Sequence, residues 1–254
     1  MLAIERRNQI MEKLQEEKKV YVSSLSQFYQ VSEETIRRDL EKLEKEGLVT
    51  KSYGGAVLKE NNNIDLPFNV RKNRNVEAKI KIAKLLAMHI CDGDSLMLDS
   101  SSTAVFVAKH IKDKKNITII TNSIEILIEL SDVSDWHILS TGGALKESSL
   151  DLIGPNCSKT IQSYHVNKAI VSCKGIDIRK GLTDANEMQA EVKKAMFESA
   201  EKRILAIDSS KFDCISFTNV GEMSELSYIF TDKKPEDKYI QYFDNMGIEC
   251  IYPD

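Results

Sequence analysis

The sequence predicts an α/β protein in two parts. An N-terminal winged helix-turn-helix is expected over residues 1–58, a linker over 59–75, and a C-terminal Rossmann-like α/β domain over 76–254. Three observations carry this. Residues 1–58 contain no proline and show three apolar sets at helical spacing, then a glycine pair between two short β-rich runs. Periodicity stops at Asn61-Asn62-Asn63, Pro67 and the basic Arg71, Lys72 and Arg74. Beyond residue 75, helical stretches alternate with short apolar runs.

In chain order, the three N-terminal helices are marked by Ile10 and Leu14, by Leu25 and Phe28, and by Ile36, Leu40 and Leu43. The helix-turn-helix is expected at about 20–39. For the third helix Ser32 is the expected N-cap, Glu33 and Glu34 favour the positive helix end, and Gly47 follows the last turn. Gln30 falls in the turn, where glycine or asparagine would take a positive φ more easily. Leu48–Lys51 and Ala56–Leu58 read as strands around Ser52-Tyr53-Gly54-Gly55.

In the second part a helix is expected over Val76–Ile90, with Ile82, Leu85, Leu86 and Ile90 on one side. Strands are expected at Ser95–Leu98, Ile117–Thr121, Trp136–Ser140, Val166–Ser172, Ile204–Asp208, Tyr228–Thr231 and Ile248–Tyr252, with a helix at Glu187–Lys202. Continuous apolar runs such as Ile117-Thr118-Ile119-Ile120 imply a mostly parallel sheet covered on both faces.

Composition narrows the function. With 29% charged and 42% hydrophobic residues the chain is globular rather than disordered. No apolar run approaches the ~18 residues that a membrane span needs. The opening residues are too charged for a secretory signal. Five scattered cysteines without a Cys-x-x-Cys pair argue against disulfides and zinc, and fit a reducing cytoplasm. His89, His110, His137 and His165 are isolated, and Gly142-Gly143 lacks the dinucleotide-binding glycine spacing, so neither metal nor cofactor is expected.

The net charge of −4 does not by itself suggest DNA. Residues 1–59 carry 11 basic and 10 acidic side chains, so any phosphate contact must come from a few well-placed cations. On a helix over 32–46, Thr35, Arg38 and Lys42 lie opposite the apolar stripe and Arg37 flanks them. Such a basic, hydroxyl-bearing face suits major-groove reading. Paired arginines on a helix, taken alone, are more often a solvated face. The Gly54-Gly55 turn would bring backbone amides and Lys51 near the neighbouring DNA backbone. The DNA-binding set is therefore Ser32, Thr35, Arg37, Arg38, Lys42, Lys51, Tyr53 and Gly54, with double-stranded operator DNA as partner.

In the second part, Asp99-Ser100-Ser101-Ser102-Thr103 lies between a strand and a helix and offers hydroxyls at a positive helix end, which suits a phosphate. Thr121-Asn122-Ser123, Thr141-Gly142-Gly143 and Asp208-Ser209-Ser210-Lys211 form further polar loops at strand ends, where open α/β sheets bind ligands. Taken singly, each loop reads more readily as a helix cap than as a ligand site; it is the four together on one sheet edge that point to a ligand. Lys211 would supply positive charge.

The string Val31-Ser32-Glu33-Glu34-Thr35-Ile36-Arg37-Arg38-Asp39-Leu40, closed by Leu43, Gly47, Leu48 and Tyr53-Gly54-Gly55-Ala56, resembles the DNA-binding domain of the DeoR-type family of bacterial sugar-metabolism regulators. Tyr53 stands where that family often has histidine. Lys79–Ala83, Asp99–Thr103, Thr121-Asn122-Ser123, Gly142-Gly143, Gly154, Gly175-Ile176-Asp177, Gly181–Asp184 and Asp208–Phe212 are similar to its effector domain. Ser101-Ser102-Thr103 replaces the more frequent Gly-Thr-Thr, and Cys173-Lys174 replaces small or acidic residues. The resemblance implies a fold related to ribose-5-phosphate isomerase, a phosphorylated sugar as effector, a homo-oligomer, and repression of a sugar-utilisation operon. The expected ligand set is Asp99, Ser100, Ser101, Ser102, Thr103, Thr121, Asn122, Gly142, Gly143, Asp177, Glu187 and Lys211. The alternative is a sugar-phosphate isomerase with an appended DNA-binding domain. Isomerases of this fold carry Asp-Gly-Ala-Asp where Ser172-Cys173-Lys174-Gly175 stands, so no catalytic residue is expected.

Overall fold

The computed structural model describes residues 2–45, 48–58 and 66–253, which form two compact units, one ending at Arg74 and one starting at Asn75. The first contains α1 (Ala3–Glu17), β1 (Lys19–Tyr21), α2 (Val22–Tyr29), α3 (Glu33–Lys45), β2 (Val49–Ser52), β3 (Gly55–Leu58) and α4 (Phe68–Asn73).

Three helices and a small sheet enclose one apolar core. Ile10, Met11 and Leu14 of α1 meet Val22, Leu25 and Tyr29 of α2 and Ile36, Leu40 and Leu43 of α3. Each fully buried aliphatic side chain contributes about 1.5–3 kcal/mol. Phe28, expected inside with Leu25, is 63% exposed. Val22, Leu25 and Tyr29 define the inner stripe of α2, and Phe28 falls at its edge, edge-on to the Tyr29 ring and beneath the Lys13 ammonium at 4.1 Å. The sheet has the antiparallel order β1-β3-β2. Strand β1 was not anticipated, because only Val20 of its three residues faces inward. The expected linker is helical in its second half, where α4 packs on α1 and Val70 joins the core. Gly47 and residues 59–65 lie outside the described residues.

The second unit contains α5 (Val76–Met88), β4 (Ser95–Leu98), α6 (Ser102–His110), β5 (Thr118–Thr121), α7 (Ile124–Glu129), β6 (His137–Ser140), β7 (Ala144–Lys146), β8 (Asp151–Ile153), α8 (Pro155–Gln162), β9 (Val166–Val171), β10 (Gly175–Asp177), β11 (Gly181–Asp184), α9 (Glu187–Glu198), β12 (Ala200–Ala206), β13 (Thr218–Gly221), β14 (Tyr228–Phe230), α10 (Asp237–Met246) and β15 (Glu249–Ile251). Strands β4, β5, β6, β9, β12, β14 and β15 form one sheet in the order β15-β14-β12-β9-β4-β5-β6, and every pairing in it is parallel. These are the seven apolar runs expected from the sequence.

One boundary differs. The helix expected to reach Lys202 ends at Glu198, and β12 starts at Ala200, where it pairs with Val166. The charged Glu201-Lys202-Arg203 stretch is therefore the outer half of a strand. The hairpin β7–β8 and the small sheet β10-β11-β13 were not anticipated. Met97, Ile120, Ala169, Val171 and Leu205 pack on α8, α9 and α10 through Ile161, Met196 and Phe243. The alternate residues Leu96, Leu98, Ile119, Ile170 and Ile204 are buried as well, as a sheet covered on both faces requires.

The strand order reverses between β4 and β9. From β4 the chain moves outwards through β5 and β6, then crosses to β9 on the other flank. Because the sheet is parallel, every carboxyl-terminal strand end lies along one edge. The crevice at such a reversal is where open α/β sheets bind ligands.

Candidate DNA-reading face and effector crest

Helix α3 owes its orientation to both of its faces. Ile36, Leu40 and Leu43 anchor it, while Arg37, Arg38 and Lys42 are exposed on the outer side. At its start the Ser32 hydroxyl accepts from the Thr35 amide at 3.2 Å and lies 2.9 Å from the Thr35 hydroxyl. Two residues expected to face DNA are thus tied to each other as the helix cap. The preceding turn is made by Gln30 in the left-handed region at φ 54, with the Val31 amide donating to the Ser26 carbonyl at 3.2 Å.

Both arginines of this face, and Lys51 beside it, are paired. Arg37 donates to Glu33 at 2.6 Å and Arg38 to Glu34 at 3.2 Å. The Lys51 ammonium on β2 lies 3.2 Å from Glu41 and 3.4 Å from Glu44, and its amide donates to Glu44 at 3.0 Å. That amide bond holds the Glu44 carboxyl below its ordinary pKa, and the bond to Glu41 raises that of Lys51. Tyr53 is fully exposed at the turn tip. Gly54 follows at φ +76 and its carbonyl accepts from the Val22 amide at 2.8 Å. At Gly55 a Cβ would lie 2.0 Å from the Val20 carbonyl oxygen, so only glycine lets β1 approach β3 this closely.

In the second unit the carboxyl ends of β4 and β9 meet at Asp99, which is fully buried. Its carboxylate accepts from the Ser101 amide at 3.2 Å and from the Ser172 amide at 3.1 Å. Lys193 of α9 lies 3.6 Å from the same carboxylate and is hydrogen-bonded to Asp184. Burial disfavours the Lys193 charge, but attraction to Asp184 and Asp99 outweighs it and raises its pKa. Burial likewise opposes the Asp184 charge, and Lys193 outweighs it, so that carboxyl is held below the ordinary range. Cys173 sits in the same cluster, and burial pushes its thiol up to about 12, so it is no nucleophile at neutral pH.

Around this pair lie most of the expected ligand residues. Ser101 caps α6 by accepting from the Ala104 amide at 3.1 Å. Ser102 is buried in the same first turn, and Thr103, also buried, has a hydroxyl with no hydrogen-bond partner among the described residues. Thr121 donates to the Leu98 carbonyl at 2.7 Å. Asn122 donates to the Leu152 carbonyl at 3.0 Å, while its own buried Oδ1 has no partner among the described residues. Lys211, half-buried, donates to the Ser172 hydroxyl at 3.3 Å and lies 3.6 Å from Asp208.

Other expected residues have different roles. Asp177 closes the β10–β11 turn by accepting from the Arg179 and Lys180 amides at 2.9 and 3.0 Å. Glu187 is exposed. It is Gln189, two residues on, that turns inwards and donates to Asp151 at 2.6 Å. Asp151 also accepts from Ser100 at 3.1 Å and Ser149 at 2.8 Å, which ties the β7–β8 hairpin to the crest. Gly142 and Gly143 are exposed at φ 63 and 118, and a Cβ on Gly143 would lie 2.7 Å from the Ile153 carbonyl. Among the described residues no group of three or more metal-ligating side chains occurs, and no helix is long and apolar enough to cross a membrane.

Compared with known families, residues 6–62 match the DeoR-like helix-turn-helix domain and residues 74–233 the DeoR C terminal sensor domain. The chain belongs to the DeoR family. As a member of that family it is a DNA-binding transcriptional regulator.

An uncharacterized HTH-type regulator, YulB of Bacillus subtilis, is 42% identical over 91% of this chain and 90% of its own length. The transcriptional repressor GlcR of the same species is 33% identical over 95% and 93%. The L-fucose operon activator of Haemophilus influenzae is 32% identical over 95% and 97%. Among solved structures, ribose 5-phosphate isomerase A of Methanocaldococcus jannaschii is 15% identical, covers 53% of each chain and gives a TM-score of 0.39. Likeness at that level says nothing about activity.

For this DeoR family member, sequence reasoning overlooked Asp39, Asp151, Gln189 and Lys193. A signal existed for three of them. Asp39 falls inside the apolar stripe of α3, and Gln189 and Lys193 are one helical turn apart on the inner side of α9, beside Ala190 and Met196. A polar residue on a buried stripe needs a partner.

Proposed function

We propose that this regulator represses a sugar-utilisation operon in the cytoplasm, binds operator DNA through α3 and the β2–β3 wing as a homo-oligomer, and changes operator affinity when a phosphorylated sugar binds the second unit. The observation that carries the effector part is the convergence at the strand-order reversal. Asp99, Ser172, Lys193 and Lys211 meet there, next to the first turn of α6 and the Thr103 hydroxyl, which has no partner among the described residues. A helix start, buried hydroxyls and a lysine together suit a phosphate, while the crest's hydroxyl and amide side chains suit sugar hydroxyls.

Binding, rather than catalysis, is the reading these residues favour. An isomerase base must be free to take a proton from carbon, whereas Asp184 is locked to Lys193 and Asp99 to two backbone amides and the same lysine. The DNA part is supported by the exposed Arg37, Arg38 and Lys42 on a helix whose opposite side is anchored in the core.

A thermal-shift screen of phosphorylated sugars against the full chain tests the effector reading, since a ligand bound only by the folded state must raise its apparent stability. At least one phosphorylated sugar raises the midpoint, its unphosphorylated form does not, and Lys211→Ala reduces the shift. Measurable turnover of ribose 5-phosphate that Lys211→Ala abolishes overturns the regulator-only reading.

A further inference from the structure

The outer face of α3 is electrically balanced. Glu33, Glu34, Glu41 and Glu44 are exposed on it together with Arg37, Arg38, Lys42 and Lys45. Glu34 and Arg38 are one turn apart near the centre of that face, opposite Leu43 and Ile36, and bonded at 3.2 Å. Glu33 and Arg37 repeat the arrangement on the flank at 2.6 Å. A helix evolved only to grip phosphate has no use for carboxylates there, because each would repel the DNA backbone within a Debye length of ~8–10 Å.

We propose that Glu34, supported by Glu33, is a specificity-determining residue of the DNA-reading helix. In free protein it neutralises Arg38, so generic duplex gains little from that arginine. An exposed pair of this kind is weak, so a correct site separates it at small cost. The first turn of a helix docked in the major groove faces the base edges. A glutamate there has a fitting partner in the cytosine N4 amino group. At a cytosine the carboxylate is satisfied and Arg38 is released to its own acceptor. At other bases the carboxylate either keeps Arg38 occupied or is left unpaired among phosphates, and both oppose binding. Glu33 and Glu34 also suit the positive end of α3, but a purely helix-stabilising role would act alike on every DNA sequence.

This inference rests on α3 being the element that reads DNA, and the test separates the two claims. The full-length protein is used to select tight duplexes from a random library. Its affinities for the selected duplex and for a scrambled one are then measured at fixed salt by fluorescence anisotropy. Glu34→Gln, Glu33→Gln, Arg38→Ala and Glu17→Gln are compared, the last removing the same charge from the far end of α1, where Glu17 lies 3.9 Å from Lys13. Glu34→Gln is expected to bind scrambled duplex several-fold more tightly and to lose roughly tenfold in discrimination, within the range set by one misread base pair. A repeat selection with it should relax at a cytosine. Glu17→Gln should leave the ratio unchanged. Equal gains on both duplexes with Glu34→Gln, or a result matching Glu17→Gln, overturns the proposal. If Arg38→Ala weakens binding to the selected duplex, α3 stands as the reading helix whatever Glu34 does. If Arg38→Ala has no effect, both claims fall.

Discussion

The Arg6 side chain of α1 donates through Nε to the Asp39 carboxylate of α3 at 2.6 Å, and both groups are buried. Arg7 approaches the other oxygen of the same carboxylate at 3.4 Å. The pair fixes α3 across the core from the first helix, one residue from the exposed Arg38. Removing one partner strands the other in low dielectric, which costs about 3–5 kcal/mol. Asp39→Ala should therefore destabilise the N-terminal unit by that amount in urea denaturation. A change below about 1 kcal/mol would show the pair to be no more than a surface contact.

At the wing, Gly55→Ala should disrupt the β1–β3 pairing, because the new methyl would meet the Val20 carbonyl at 2.0 Å. Backbone cannot yield as a side-chain tip does, so a loss of about 1–3 kcal/mol is expected. Gly54→Ala tests a different constraint at the adjacent residue. There is open space around it, and only the positive φ opposes a side chain. Of the two, Gly55→Ala should lower the melting temperature more.

The extent of the fold that was legible follows from what each element buries. The inner strands of the large sheet, β4, β5 and β9, are buried and announce themselves as apolar runs, while the edge strands β6 and β15 are only partly covered. Strands β1, β7, β8, β10, β11 and β13 have three or four residues each, with glycines and charges among them, and take their form from partners elsewhere in the chain. The same non-locality hid the centre of the effector crest. Lys193 reads as one of many helical lysines until Asp99, 94 residues earlier in the chain, is brought within 3.6 Å. Glu187 was expected at the crest because of its residue type, but the phase of α9 points Gln189 there instead.

Lys193→Met leaves Asp184 and Asp99 buried without their cation, and a loss of about 3–5 kcal/mol is expected at neutral pH. The pH dependence has a definite sign. In the wild-type protein the Asp184 carboxyl is held below its ordinary value. Its contribution is therefore present above the unfolded pKa of ~3.9 and is lost as the pH falls through the lower folded value. In Lys193→Met, burial without its principal counter-charge should raise the folded Asp184 pKa, so protonation relieves the strain. The deficit relative to wild type should shrink between about pH 7 and pH 5. A deficit independent of pH would mean that lost packing, not charge, dominates.

Arg38→Ala should cost operator affinity on the order of 1–3 kcal/mol and relax selectivity at one base pair if the guanidinium reads a base. A uniform loss on all duplexes, with a shallower salt dependence, would instead make it a phosphate contact.

The most direct measurement is an anisotropy titration of the selected duplex at fixed salt, with and without a panel of sugars in phosphorylated and free form. One phosphorylated sugar should change the affinity by roughly 5–150-fold, as expected of coupled sites, and its free form should not. If no phosphorylated sugar moves the curve, or if the free sugar moves it as far, the effector assignment is contradicted.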